Sequence, residues 1–194
     1  MGHSFVSRLK HKLNTTSSSN PSRNAIALRV DRIAPLVFIR GRSGERVMNN
    51  DRMINDARQI RPDVVIIDTG SNDLIHNSTP LSVATRLITV GEAILKDNPL
   101  AKVVLCSALH RGRPTGPHSL LNDNIDLFNR ILRNYCDVEP RMTYHTHRGF
   151  WTVPIKHWST DYIHPNTHLG MSNYIKSIRR AILTADKGRI SPLT

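Results

Sequence analysis

The stretch TDYIHPNTHLG, residues 160–170, sets Asp161 three positions ahead of His164. An imidazole serves as a base only when its tautomer is fixed, and a carboxylate on the second ring nitrogen does this. A spacing of three on one turn allows that contact. Pro165 biases His164 toward extended backbone, so the ring can be presented from a loop. A helix-capping aspartate beside an exposed histidine has the same spelling. TGSND at 69–73 follows the apolar run VVIID, and Asn72 at a strand's carboxyl end can place an amide donor in a cleft. Such a donor suits an oxyanion hole, although Gly-Ser-Asn-Asp is equally the composition of an Asx-type turn. Gly44 in GRSGER, 41–46, can offer its backbone N–H to the same oxyanion, or simply permit a tight turn. Ser4 in MGHSFV is either a nucleophile or the cap of a helix whose Val6, Leu9 and Leu13 share a face.

Other reactive side chains carry less. His145 and His147 alternate onto one face of MTYHTH, with His157 and His168 further along, but no cysteine or carboxylate stands at ligand spacing. Exposed histidines in a basic chain account for them, and no metal or organic cofactor is expected. Cys106 reads as a small buried hydrophobe. His110 and Arg111 follow a strand and are placed to rim a cleft. Trp151, near Phe150 and Trp158, lines a substrate pocket or packs in the core.

The elements that must position these residues alternate. VVIID at 64–68 and KVVLCSAL at 102–109 read as buried strands, MTYHTH at 142–147 as a third, and 25–40 as an extended apolar stretch ending in LVFI. Helical periodicity covers about 50–60, the segment opened by Thr79 and Pro80, about 119–134 and about 167–184. Alternating strands and helices imply a parallel sheet with helices on both faces, a three-layer α/β/α sandwich. Chemistry in such sheets gathers at the loops leaving the strands' carboxyl ends.

At 194 residues the chain is read as one domain, 1–188, with a polar loop at 14–24 and a short tail at 189–194. No apolar run reaches the roughly 18 residues of a membrane span, and charged Arg8, Lys10 and Lys12 interrupt any leader-like start. Two cysteines form no disulfide framework, so an intracellular, cytoplasmic location without membrane attachment is expected. The net charge of +12 attracts polyanions, but the basic residues are scattered, so weak non-specific nucleic-acid binding is the expectation.

Taken in order, GHS at 2–4, Gly44, GSND at 70–73 and DYIH at 161–164 resemble the four blocks of the SGNH hydrolases, the GDSL-type esterases and lipases. HRGFW at 147–151 is further similar to an invertebrate, retroelement-associated branch. The resemblance implies a flavodoxin-like fold and hydrolysis of carboxylic, including acetyl, esters of small molecules or glycans. It implies Ser4 as nucleophile, His164 as base and Asp161 as its orienter, with Ser4, Gly44 and Asn72 forming the oxyanion hole. Two departures qualify it. His3 replaces the family's acidic residue, and only Met1 precedes Gly2 where a central first strand of a 2-1-3-4-5 sheet would stand. A weak or inactive enzyme is therefore expected. The alternative is an inactive SGNH-fold module in a nucleic-acid-associated, retroelement-type protein.

Overall fold

The computed structural model describes residues 6–9, 11, 28, 30, 36–48, 51–76, 78–112, 119–148, 150 and 158–187. In chain order the elements are α1 (Arg52–Ile60), β1 (Val64–Ile67), α2 (Ser71–Ile75), α3 (Pro80–Asp97), β2 (Lys102–Cys106), α4 (Leu121–Cys136), β3 (Met142–His145) and α5 (Leu169–Lys187). Among the described residues the sheet has three parallel strands in the order β1-β2-β3. Val65 pairs with Val103, and Val103 in turn with Met142.

Strand side chains alternate between faces, and the sequence places apolar residues on both. Val65, Ile67, Val103, Leu105 and Met142 enter one core with Met53 and Ala57 of α1, Val83, Leu87 and Ile94 of α3, and Ile125, Phe128 and Leu132 of α4. Val104 faces the opposite way, toward Ala181 and Ala185 of α5, with Val64 and Ile66 packed beside it. Tyr174 and Ile178 of α5 extend that second layer to Leu9, Leu28, Val30, Leu109 and Trp158. Each large side chain so enclosed contributes about 1.5–3 kcal/mol. The result is the expected α/β/α sandwich, with strands buried on both faces.

Local chemistry sets the ends of the elements. Thr79 keeps extended dihedrals while its Oγ1 accepts from Ser82 N at 3.2 Å, and Pro80 opens α3, as expected. The strand expected over 142–147 stops at His145, because the His147 N–H donates to Ser107 Oγ at 3.0 Å instead of extending the ladder. The LVFI run joins no strand among the described residues. Val37 and Ile39 pack on the second core, whereas Leu36 and Phe38 are exposed, so one side of an extended segment is buried. Residues 1–5, the polar loop at 14–24 and the tail at 189–194 lie outside the described residues, and with them the expected absence of a first strand.

Candidate active site

The loop 158–165 is a closed turn. Trp158 and Pro165 form an antiparallel bridge, Ser159 N donates to His164 O at 2.7 Å, and Tyr162 adopts φ +53°. Within it Asp161 Oδ1 accepts from the N–H groups of Ile163 and His164, both at 2.9 Å. Its other oxygen, Oδ2, lies 2.7 Å from His164 Nδ1. Burial pushes the Asp161 carboxyl up, but hydrogen bonds from the His164 backbone, the His164 ring and the Ile163 N–H outweigh it and hold the group at about 2. His164 is held below the usual imidazole value, first by burial and then by the Arg8 and Arg111 charges, against the opposing pull of Asp161. Burial thus favours the neutral ring, and Nδ1 is tied to a carboxylate, as a general base requires.

The loops facing β1 supply the amide candidates. Gly70 has φ +109°, and a Cβ there would stand 2.8 Å from Phe128 Cζ, so glycine alone fits between β1 and α2. Two residues on, Asn72 Nδ2 donates to Glu45 O at 3.2 Å, which joins the amide to the turn at Gly44. Asp73 is fully buried and accepts from Val47 N at 3.0 Å and Met48 N at 3.1 Å. Glu45 is buried and paired with Arg52 at 2.6 Å. The structure therefore brings Asn72 and the Gly44 turn together. Asp73, the last residue of the GSND stretch, ties down the segment after the Gly44 turn.

The loop after β2 is pinned by α4. Asn129 matches both backbone groups of Ala108, accepting from its N–H at 2.8 Å and donating to its carbonyl at 3.0 Å. Two turns earlier on the same helix face, Asn122 does the same for Arg111, at 2.8 and 3.1 Å. His110, expected at the rim of the cleft, pairs its Nε2 with Asp126 of α4 at 2.8 Å. Arg111 is buried, and its Nη1 donates to Ile163 O at 2.9 Å, so the guanidinium points into the histidine loop instead of lying open on a rim.

Behind the sheet's carboxyl edge lies a polar cluster. Asp68, the last residue of the VVIID run, is buried against the Tyr174 hydroxyl, which donates to Oδ2. His147 Nε2 stands 3.2 Å from the same oxygen, though poorly aligned for a hydrogen bond. His147 Nδ1 and His145 Nε2 share the Ser177 hydroxyl at 2.9 and 3.0 Å. Burial, with the neighbouring His147 and Arg180 charges, pushes His145 down to about 4. Among the described residues no group of three or more His, Cys, Asp or Glu is arranged to hold a metal ion. Cys106 is buried and its thiol pushed up by burial, as a packing residue. Trp158 is core. Ser4 and Trp151 lie outside the described residues.

Loops leaving the carboxyl ends of parallel strands carry the chemistry of doubly wound proteins, and here they hold a histidine, its carboxylate and an amide donor. The class this fold defines is the SGNH-type hydrolase. The model of the GDSL-like lipase/acylhydrolase family matches residues 1–169, and the chain belongs to that family. Its fold is similar to that of a GDSL-like lipase from Bacteroides thetaiotaomicron VPI-5482, with TM-score 0.70 and 19% identity over 95% of this chain and 86% of that one. A carbohydrate esterase family 3 protein from Talaromyces cellulolyticus superposes with TM-score 0.69 and 15% identity, covering 97% and 96% of the two chains. An acetyl-xylooligosaccharide esterase from Geobacillus Stearmophilus gives 0.63 and 18%, covering 84% and 80%. No curated protein sequence matches significantly. Among the described residues no helix is long and apolar enough to cross a membrane.

Proposed function

We propose that the chain is a serine esterase that cleaves carboxylic esters, acetyl esters of carbohydrates among them, by a Ser4–His164–Asp161 triad. The observation that carries this reading is the 2.7 Å contact between His164 Nδ1 and an Asp161 carboxylate immobilised by two backbone N–H groups. Two further observations support Ser4 as the nucleophile. Val6, two residues after it, packs against Gly41, three residues before Gly44. Arg8, four residues after it, is close enough for its charge to act on His164. The names of two structural neighbours, both esterases of carbohydrates, suggest the substrate class.

In this mechanism His164 takes the Ser4 hydroxyl proton as the oxygen attacks the ester carbonyl. The developing oxyanion is met by the backbone N–H groups of Ser4 and Gly44 and by the Asn72 amide. His164 then passes its proton to the departing alcohol, leaving an acyl-Ser4 ester. Water, deprotonated by His164, releases the acid and restores the enzyme. Asp161 keeps the Nδ1–H tautomer and stabilises the imidazolium of both steps. By this reading His110, after β2, is a substrate-binding residue at the cleft rim, and Trp151 is a further substrate-binding candidate. His3, standing where the family has an acidic residue, makes turnover slow.

Fluorophosphonate labelling tests the reading. Wild type incorporates the probe and Ser4→Ala does not. Labelling of neither protein, or equal labelling of both, refutes it. In that case the +12 charge favours a module associated with nucleic acid, recognisable by RNA binding that weakens steeply with salt.

A further inference from the structure

Arg111 is a buried guanidinium whose Nη1 donates at 2.9 Å to the carbonyl of Ile163, the peptide that enters His164. Its own backbone is held at both groups by Asn122 of α4. The next residue adds a second link, since Gly112 N donates to Tyr162 O at 2.8 Å. A Cβ at position 112 would stand 3.2 Å from Tyr162 Cβ, so the two loops pack closely there. An unbroken polar path therefore runs from α4, through Asn122 and Arg111, to the loop bearing Asp161 and His164. A buried cation is held by fixed acceptors, and one acceptor of this guanidinium, the Ile163 carbonyl, is part of the histidine loop.

We propose that Arg111, locked by Asn122, is a positioning residue for the Asp161–His164 pair rather than a substrate-binding residue. The inference rests on the esterase reading for its kinetic effect but not for its structural one. The carbonyl of Ile163 cannot rotate while Nη1 holds it, so the 163–164 peptide and the ring it carries stay in register with Asp161. Misplacing a catalytic group by about 1 Å costs on the order of 100-fold in rate. Among the described residues, the charged groups that act on His164 include Asp161 from its own loop, Arg111 from the loop after β2, and Arg8 from the helical residues 6–9. The Arg111 charge disfavours the imidazolium, so its removal raises the His164 pKa.

The test uses the full chain as wild type, Arg111→Met, Arg111→Lys and Asn122→Ala. Two readouts are taken: steady-state hydrolysis of p-nitrophenyl acetate, and titration of His164 by NMR of ¹⁵N-histidine-labelled protein, assigned with His164→Gln. Arg111→Met is expected to lose about 100-fold in kcat with KM nearly unchanged, and to titrate His164 at higher pH. Arg111→Lys recovers part of kcat and the wild-type titration, because it restores the charge but not the planar fork. Asn122→Ala moves both readouts in the same direction as Arg111→Met, by less. A loss confined to KM overturns the proposal in favour of substrate binding, and wild-type kcat with wild-type titration in Arg111→Met overturns it outright. If wild type hydrolyses nothing, the esterase reading fails, and an unmoved His164 titration in Arg111→Met still overturns the positioning role. If Arg111→Met shows no cooperative melt, unmoved titration and kcat in Asn122→Ala do so.

Discussion

Asp161→Asn changes one atom and separates the two jobs of this carboxylate. Its Oδ1 accepts from Ile163 N and His164 N, both at 2.9 Å, and an asparagine carbonyl can keep both bonds. The loop therefore stays folded. At Oδ2, 2.7 Å from His164 Nδ1, the substitution places an NH₂ group where the ring's own N–H must point. Two donors now face each other, and the ring responds by moving its proton to Nε2, the nitrogen that must accept from Ser4. Loss of the productive tautomer together with the carboxylate charge costs about 10⁴-fold in kcat, equivalent to about 5 kcal/mol of barrier. The pH profile moves as well. Burial and the Arg8 and Arg111 charges already lower the His164 pKa, and Asp161 opposes them through its bond and charge. Its neutralisation lets the pKa fall further, so the acid limb of kcat/KM shifts to lower pH. The assay is p-nitrophenyl acetate hydrolysis between pH 4 and 9, with fluorophosphonate labelling as a single-turnover check. A variant within tenfold of wild type, with an unshifted acid limb, would refute the assignment of this pair as the base.

Two further outcomes concern stability. His145 is held at about 4 against an ordinary 6.5, so the unfolded chain takes up its proton first as pH falls. Its contribution is complete above pH 6.5 and is lost progressively as pH falls toward 4. Urea unfolding at pH 7 and 4.5 should show His145→Gln with a shallower pH dependence than wild type; an identical dependence would contradict the burial argument. Asp73→Ala leaves the Val47 and Met48 N–H groups without their carboxylate, which costs about 1–3 kcal/mol for each group kept from water. A change in unfolding free energy below about 0.5 kcal/mol would mean that the segment after Gly44 is held by something else.

Much of the scaffold was legible because its determinants are local. Val64 to Ile67 are apolar on every residue, and the strand is buried on both faces. Thr79 and Pro80 announce a helix start with a hydroxyl acceptor and a fixed φ. Asp161 and His164 lie within one turn, so their contact needed only that the turn close. Other expectations met a tertiary competitor. MTYHTH alternates like a strand to its end, but Ser107 takes the His147 N–H and ends the pairing at His145. Arg111, placed after a strand, suggested a cleft rim; the fold turns its guanidinium inward to Ile163.

By itself, the amino-acid sequence determined which segments are helix or strand, which faces are apolar, and the order in which the candidate site blocks occur. Periods of 3.6 and 2 record those facts within a few residues of each position. Only the tertiary structure decided which polar side chains hold those blocks together. Asn122 and Asn129 look like two solvent-facing amides on a helix, yet they serve as backbone partners for Arg111 and Ala108. Tyr174 and Asp68 meet across 106 residues of chain. A carboxylate or an amide accepts a hydrogen bond from any donor, so its type does not name its partner. Packing of the two cores against the sheet makes that choice.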